Sequence, residues 1–259
     1  MSTALSQLAL IAERAASVAR NATPASVEEK NMQDFVTDMD RGLQMEIATA
    51  LQQSFPNVEA LGEEGIDVDA RLPEKAFLID PLDGTGNWIA GLPFSAVSIA
   101  YLEQGRTVMA VVAAIADTDL YTAEFGKGAW RNGNRLQMAG PPPALIALSS
   151  GVVDACGGTD TYRALRRFGK LRNLGSQALQ LCAVAQRSLA LNASVEARLW
   201  DDAAGRLIAT EAGARYRATL AATETGRPTA RQQSLCAHPD VFDAASTILE
   251  PVFGSIETE

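Results

Sequence analysis

The feature that most constrains this chain is a buried apolar run that ends abruptly in acid. Ala76-Phe77-Leu78-Ile79 reads as a strand, expected over Ala76–Asp80, and Asp80-Pro81-Leu82-Asp83-Gly84-Thr85-Gly86-Asn87-Trp88 follows without a break. Asp80 therefore stands at a strand end. Proline fixes its own φ and favours a turn, and the turn can bring Asp80 and Asp83 to one side. Two carboxylates that close repel each other unless a cation lies between them, and the carbonyl of Leu82 can face the same cation. Gly84 lets a bound group approach the backbone. A helix starting near Thr85 would aim its first N–H groups at an anion such as phosphate. The ordinary alternative, an Asp-Gly turn with a capping aspartate, does not account for two aspartates, a glycine and a threonine in this tight order.

The rest of the composition narrows the chemistry. Of 259 residues only one is a histidine, His238, placed just before a final helix expected over Pro239–Leu249. Serine–histidine hydrolysis, two-histidine zinc sites and phosphohistidine chemistry would all lean on that residue, whose ordinary reading is a helix-start position. Carboxylates plus metal are the chemistry left most open. The three cysteines, Cys156, Cys182 and Cys236, are odd in number and widely spaced, so neither a disulfide framework nor a zinc site is indicated. A net charge of −9 argues against nucleic acid as the main partner.

Hydrophobic residues make up 47% and charged residues 20%, the balance of an ordinary globular protein. The most apolar stretch, Val108–Ile115, is far too short to span a membrane. The N-terminal segment lacks a basic region followed by an apolar block. It reads as an amphipathic helix with Leu5, Leu8, Ile11, Ala12, Ala15 and Val18 on one face. A cytoplasmic protein with no membrane partner is expected.

Along the chain, helices are expected at Ala4–Arg20 and Arg41–Ser54, joined by a polar connection over Asn21–Asp40. After the strand at Ala76, Phe94–Glu103 and Thr107–Ala116 form a hairpin through Gln104-Gly105-Arg106, and Leu120–Glu124 is a further strand. Gly126–Asn134 reads as turns. Gly140-Pro141-Pro142-Pro143 is the clearest linker. It divides an N-terminal half, 1–140, which carries most of the candidate ligands, from a C-terminal half, 141–259. Strands and helices then alternate: strand Ala144–Ser149, helix, strand Leu171–Gly175, helix Ser176–Ser188, strand, helix Asp201–Gly213, strand, helix. The order argues for layered sheets and helices.

Three other stretches carry acid in suggestive places. Gly62-Glu63-Glu64-Gly65 closes a polar loop and alone reads as solvated surface. Trp200-Asp201-Asp202-Ala203-Ala204-Gly205 puts Asp201 at a helix start, where an N-cap is the ordinary role. Its small residues imply close packing of that helix end. Asp34-Phe35-Val36-Thr37-Asp38-Met39-Asp40 precedes the second helix, with Asp40 in the cap position.

Together these stretches resemble the inositol monophosphatase family through nearly the whole chain. Asp80-Pro81-Leu82-Asp83-Gly84-Thr85 fits the family's Asp-Pro-x-Asp-Gly-Thr motif, and Trp200-Asp201 with Ala203-Ala204-Gly205 fits its second signature. Gly62-Glu63-Glu64, Val36-Thr37-x-x-Asp40, Asn87-Trp88 with Pro93-Phe94, Gly126-Lys127-Gly128-Ala129-Trp130 and Gly175-Ser176-x-Ala178-Leu179 continue the likeness in order. The resemblance implies an α/β fold, a layered αβαβα sandwich, in a homodimer.

It also implies a Mg²⁺-dependent phosphatase for a small phosphomonoester, with two or three ions. Glu63, Asp80 and the carbonyl of Leu82 would hold one ion. Asp80, Asp83 and Asp201 would hold a second, and Glu63 would help with a looser third. Thr85 would hydrogen-bond the attacking water with Asp40 behind it, making Thr85, Asp40 and Glu63 the catalytic set. Backbone N–H groups of Gly84 and Thr85 would grip the phosphate, with Ser176, Ser194 and Asp201 on the substrate side. Lys30 corresponds to a family lysine near the site.

The pattern breaks ahead of Trp200. Where many members carry Gly-Arg-x-Asp, three residues and then Glu, this chain has Arg187, Ser188, Ala190 and Ser194. The family Glu that contacts a sugar hydroxyl becomes the short, neutral Ser194. Glu196, two residues on, would point to the same side of a strand, about 6.6 Å away, though a surface position is its ordinary reading. Gln44 stands where the family often has Glu, and reads as a minor surface change. The metal ligands are untouched, so the substrate is what stays open. Inositol phosphate or another polyol phosphate leads, with histidinol phosphate or 3′-phosphoadenosine 5′-phosphate as alternatives. Some bacterial relatives bind transcription machinery, so a regulatory, protein-binding member is the alternative of a different class.

Overall fold

The computed structural model describes residues 2–23, 26–31, 34–219 and 226–255. Helix α1 (Thr3–Arg20) starts at Ser2, whose hydroxyl accepts from the Leu5 N–H, and packs beside α2 (Asp38–Ser54). The face that α1 buries is set by its alanines. Ala9, Ala12, Ala15, Ala16 and Ala19 are buried with Leu5 and Leu8, whereas Val18 is 40% exposed and Ile11 only half-buried. Alanine contributes little to a hydrophobic pattern, yet it lets a helix axis lie close to a sheet. The buried stripe is therefore rotated from the one the larger residues predict.

Asn21–Asp40 is more than a connection: β1 (Val27–Asn31) and β2 (Asp34–Thr37) pair as an antiparallel hairpin within it. Helix α2 begins at Asp38 with Thr37 as its cap, so Asp40 is the third helical residue rather than the cap.

Among the described residues, the largest sheet has seven strands, in sequence order. They are β3 (Glu59–Gly62), β4 (Lys75–Asp83), β5 (Ala96–Glu103), β6 (Arg106–Ala114), β7 (Leu120–Glu124), β8 (Gly128–Arg131) and β9 (Asn134–Arg135). Only β3 and β4 pair in parallel. The glycine-rich stretch expected to be turns thus contains β8, because Gly128-Ala129-Trp130-Arg131 completes the ladder against β7.

A second sheet has the order β11-β10-β12-β14-β13, from β10 (Leu145–Leu148), β11 (Lys170–Arg172), β12 (Leu191–Ser194), β13 (Arg215–Thr219) and β14 (Gln233–Ala237). Helices α1 and α2 cover one face of the first sheet. Helices α6 (Gln177–Ala185) and α7 (Leu199–Glu211) lie on its other face and also touch the second sheet. Beyond that sheet lie α4 (Ser150–Cys156), α5 (Asp160–Leu165) and α8 (Pro239–Ser255). The result is the five-layer αβαβα sandwich. The short α3 (Thr85–Ile89) sits at the C-terminal end of β4.

The layers explain the sequence pattern. Strands β4, β5 and β6 are covered on both faces, so they read as continuous apolar runs instead of alternating ones. The middle layer is close-packed at Gly205. A Cβ there would stand 2.7 Å from that of Leu181, so the small residues after Asp201 do mark a tight helix contact. His238 is buried at the start of α8. Its Nδ1 accepts from the Asp240 N–H and its Nε2 bonds the Gly140 carbonyl at 3.1 Å, a structural role.

Candidate active site

The cleft forms where the end of β4 meets the first turns of α2, α3, α6 and α7. Strand β4 runs on through Pro81 to Asp83, further than the expected end at Asp80. Pro81 has no N–H to give the ladder, and the register against β5 slips there: Asp80 faces Ser98 and Asp83 faces Ala96. In a regular strand, residues three apart point to opposite faces. The slip absorbs the odd residue, turns Leu82 into the core beneath α1 and α2, and leaves Asp80 and Asp83 on the same side.

Both aspartates are buried. Asp80 accepts the Leu82 N–H at 3.0 Å. Asp83 is held by the start of α6: its Oδ2 takes the Ser176 hydroxyl at 2.5 Å and the Ala178 N–H at 2.7 Å, and its Oδ1 takes the Gln177 N–H at 3.1 Å.

Asp201 and Asp40 are built alike. Each is the third residue of its helix and turns one oxygen back to the residue before the helix. Asp201 Oδ2 accepts the Arg198 N–H at 2.6 Å, so α7 begins at Leu199 and Asp201 is inside it, not at its cap. Asp40 Oδ2 accepts the Thr37 N–H at 2.8 Å and the Thr37 hydroxyl at 2.6 Å. Its other oxygen accepts the Thr85 hydroxyl at 2.9 Å, while the Leu82 carbonyl lies 3.0 Å from the same hydroxyl.

Glu63 follows β3, its N–H bonded to the Ile79 carbonyl. Carboxylate oxygens of Glu63, Asp80 and Asp201 all lie within 4.8 Å of one another. Asp83 lines the same cleft, but that tight group does not include it.

Clustering has an electrostatic consequence. Burial, and then the charge of Glu63, push the Asp80 and Asp201 carboxyls well above the usual carboxylate range. Burial also lifts Asp83 to about 6, against the three hydrogen bonds that favour its charged form. Hard oxygen donors without histidine or cysteine, gathered at such a cost in desolvation, fit a divalent cation of the magnesium kind.

Gly84 caps α3 in the left-handed region, φ +87°, and a Cβ there would sit 3.0 Å from the carbonyl oxygens of Gly175 and Phe94. Gly84 and Thr85 line the cleft, which measures about 410 Å³. Its outer wall carries Ser149, Ser150, Asn173, Gln177, Gln180 and Glu196.

Ser176 and Ser194 also line the cleft, with their hydroxyls engaged in the fold. Ser176 gives its proton to Asp83 and accepts the Leu179 N–H, capping α6. Ser194 accepts the N–H groups of Glu196 and Ala197. The exposed Glu196 accepts the Gly151 N–H at 3.0 Å. Lys30 lies on β1, and its side chain is outside the described residues.

The family model for the inositol monophosphatase family matches residues 1–247. The chain belongs to the inositol monophosphatase family. This is a phosphatase family, and the fold agrees. The solved structure of the Thermotoga maritima IMPase superposes with a TM-score of 0.84 at 25% identity, covering 98% of this chain and 100% of that one. Inositol monophosphatase 2 of Solanum lycopersicum is 35% identical over 201 residues, 72% of this chain and 76% of that protein. Nus factor SuhB of Escherichia coli K12 is 36% identical over 202 residues, 74% of this chain and 75% of that protein. Among the described residues of this family member, no helix is long and apolar enough to cross a membrane.

Gln44 is a correction. It is half-buried, and its amide clamps the loop that carries Glu63: Oε1 accepts the Glu64 N–H at 2.8 Å and Nε2 donates to the Glu64 carbonyl at 2.7 Å. Its distance in sequence from that loop hides the contact. Asn87 has a structural role that its place in the sequence does not display. Its Nδ2 donates to the Phe94 and Leu174 carbonyls, tying α3 to the opposite wall.

Proposed function

We propose that this protein is a Mg²⁺-dependent phosphomonoesterase that hydrolyses a small phosphorylated polyol, inositol monophosphate first among them. The observation that carries the reading is the Glu63–Asp80–Asp201 cluster, buried at Asp80, beside a threonine whose hydroxyl stands 2.9 Å from Asp40 Oδ1. Glu63, Asp80 and the Leu82 carbonyl would hold one Mg²⁺, and Asp80, Asp83 and Asp201 a second. Bound Mg²⁺ would neutralise the phosphate dianion and make water a competent nucleophile.

The protein groups do the rest. With its proton committed to Asp40, the Thr85 oxygen can accept a hydrogen bond from the attacking water and fix its position. The N–H groups of Gly84 and Thr85 hold the phosphate so that water stands opposite the scissile bond. The water oxygen joins phosphorus as the bond from phosphorus to the alcohol oxygen breaks, and the proton the water gives up ends on the departing alcohol oxygen. Proximity and orientation of this kind lower the barrier without a covalent enzyme intermediate.

The leaving-group side narrows the substrate. Among the described residues lining the cleft, none is lysine or arginine. Hydroxyls, amides and the Glu196 carboxylate suit a polyhydroxy group, and no described cationic side chain in the lining stands ready for a second phosphate. That favours a monophosphate over 3′-phosphoadenosine 5′-phosphate.

Phosphate release with Mg²⁺ should be measured on inositol 1-phosphate, glycerol 2-phosphate, histidinol phosphate and 3′-phosphoadenosine 5′-phosphate. The expected result is a clear preference for a polyol monophosphate, activity abolished by EDTA, and a loss of roughly 100-fold or more in Asp80→Asn. Activity that survives EDTA, or an Asp80→Asn enzyme as fast as the wild type, would overturn the metal assignment.

A cytoplasmic homodimer belongs to the same reading, supported by the family resemblance. A second reading is a regulatory role in a transcription assembly, favoured by the relatives named Nus factor SuhB. It gains ground if the Mg²⁺-loaded wild type hydrolyses nothing in the panel.

A further inference from the structure

Directly beside Asp201 lies a carboxylate that the proposed reaction does not use. Asp202 is fully buried on α7. Its Oδ1 accepts Gln177 Nε2 at 2.6 Å, and its Oδ2 accepts the Tyr216 hydroxyl of β13 at 2.7 Å. A carboxylate at such depth is tolerated only when its oxygens are well bonded.

The contacts of Gln177 extend the network. Its Oε1 accepts Asn192 Nδ2 at 3.0 Å and Gln180 Nε2 at 3.3 Å. Gln180 Nε2 also lies 3.2 Å from Asn192 Oδ1, and Gln180 Oε1 accepts the Leu174 N–H at 3.1 Å. The Leu174 carbonyl in turn takes Asn87, on the helix that begins the phosphate loop.

Amides can face either way, so a chain of them takes its direction from groups that only donate or only accept. At one end the Leu174 N–H can only donate, which turns Gln180 Nε2 toward Gln177 Oε1. At the other end both oxygens of Asp202 act as acceptors, and one of them receives the NH₂ that Gln177 then turns inward. Gln177 is also the residue whose backbone N–H holds Asp83 Oδ1.

We infer that Asp202, braced by Tyr216, is a positioning residue that holds the open end of the Gln177–Asn192–Gln180 amide relay and thereby steadies the α6 turn gripping Asp83. The inference rests on the phosphatase reading for its kinetic consequence, and on geometry alone for the coupling between Gln177 and Asp202.

The two are separated by exchanging donor and acceptor. Gln177→Glu sets carboxylate against carboxylate. Adding Asp202→Asn restores one donor facing one acceptor and leaves Asn192 and Gln180 an oxygen to donate to. Gln177→Glu is expected to lower kcat about tenfold, to raise the Mg²⁺ concentration for half-maximal rate, and to lower the melting temperature in EDTA. The double variant should recover most of all three.

Gln180→Glu with Asp202→Asn has the same net charge change but leaves position 177 an amide, and it should not recover. Recovery in both doubles would reduce the effect to bulk charge and overturn the relay. So would a Gln177→Glu/Asp202→Asn enzyme no better than Gln177→Glu alone. If the wild type releases no phosphate, the phosphatase reading fails, and the melting temperatures in EDTA still decide whether positions 177 and 202 are coupled.

Discussion

At the site the aspartates are held by the fold before any ligand arrives. Asp40 and Asp201 each return one oxygen to the chain just before their helix, while Asp83 is held at both oxygens, Oδ2 by Ser176 and Ala178 and Oδ1 more loosely by the Gln177 N–H. Hydrogen bonds of this kind lock the rotamer, so the lone pairs left over are already aimed into the cleft. Backbone geometry is used in the same way at Gly84. An alanine there would have to adopt φ +87° with its Cβ against two carbonyl oxygens at 3.0 Å. The left-handed conformation alone disfavours a side chain by about 1–2 kcal/mol. The collision would also move the Gly84 and Thr85 N–H groups proposed to hold the phosphate. Gly84→Ala should therefore raise KM for the phosphate ester and lower kcat while the protein still folds. Steady-state kinetics with a melting curve checks this, and unchanged kinetics would remove Gly84 from the phosphate-binding set.

Single elements carry the site through contacts that short sequence windows do not display. Gln44 sits on α2, twenty residues from the Glu64 backbone that it bonds twice. Gln44→Ala is expected to cost about 1–2 kcal/mol of stability from two lost hydrogen bonds. It should also raise the Mg²⁺ requirement, because the Glu63 turn is no longer held; titrating activity against Mg²⁺ reads this directly. Helix α7 gives the complementary case of a contact made of absence. A Cβ on Gly205 would meet Leu181 at 2.7 Å, so Gly205→Ala should overpack the α6–α7 contact and destabilise by about 1–3 kcal/mol, read by denaturant unfolding.

These examples also mark what could be read from the chain. The β4 motif, the Leu120–Glu124 strand and the layered order were legible because each is local: an apolar run, a proline, a glycine at a turn. Gln44, Asp202 and the rotated face of α1 were not. A polar side chain far from its partner looks like surface, and a stripe of alanines carries little hydrophobic signal. The hairpin within Asn21–Asp40 was hidden for a related reason, since Glu28 and Glu29 make a strand read as polar loop.

The sandwich as a whole carries the electrostatic load of its site. Two sheets and three helical layers bury Asp80 and Asp83 and partly cover Asp201, so their charged forms are poorly solvated, and all three hold protons more tightly than in an unfolded chain. The sign of the linkage follows. Without metal, the folded state binds more protons than the unfolded state once pH exceeds the ordinary carboxylate value near 4. Stability is therefore full below that pH and falls as pH rises, through about 6 for Asp83 and beyond for the other two. A bound divalent cation takes the place of those protons and relieves the repulsion. Mg²⁺ should then raise the melting temperature little near pH 5, where protons compete for the same oxygens, and markedly near pH 8, where they do not. For a chain of this size each kcal/mol corresponds to roughly 2–4 °C, so several degrees of difference between the two pH values are expected. Asp80→Asn removes one buried charge from the cluster. It should make the EDTA-treated protein more stable at pH 8 than the wild type while reducing the further gain from Mg²⁺. Melting curves for both proteins at the two pH values, in EDTA and in Mg²⁺, test the argument. A Mg²⁺ effect independent of pH would mean that cation binding does not displace protons from these carboxylates, and that the cluster is held together by something other than the ion.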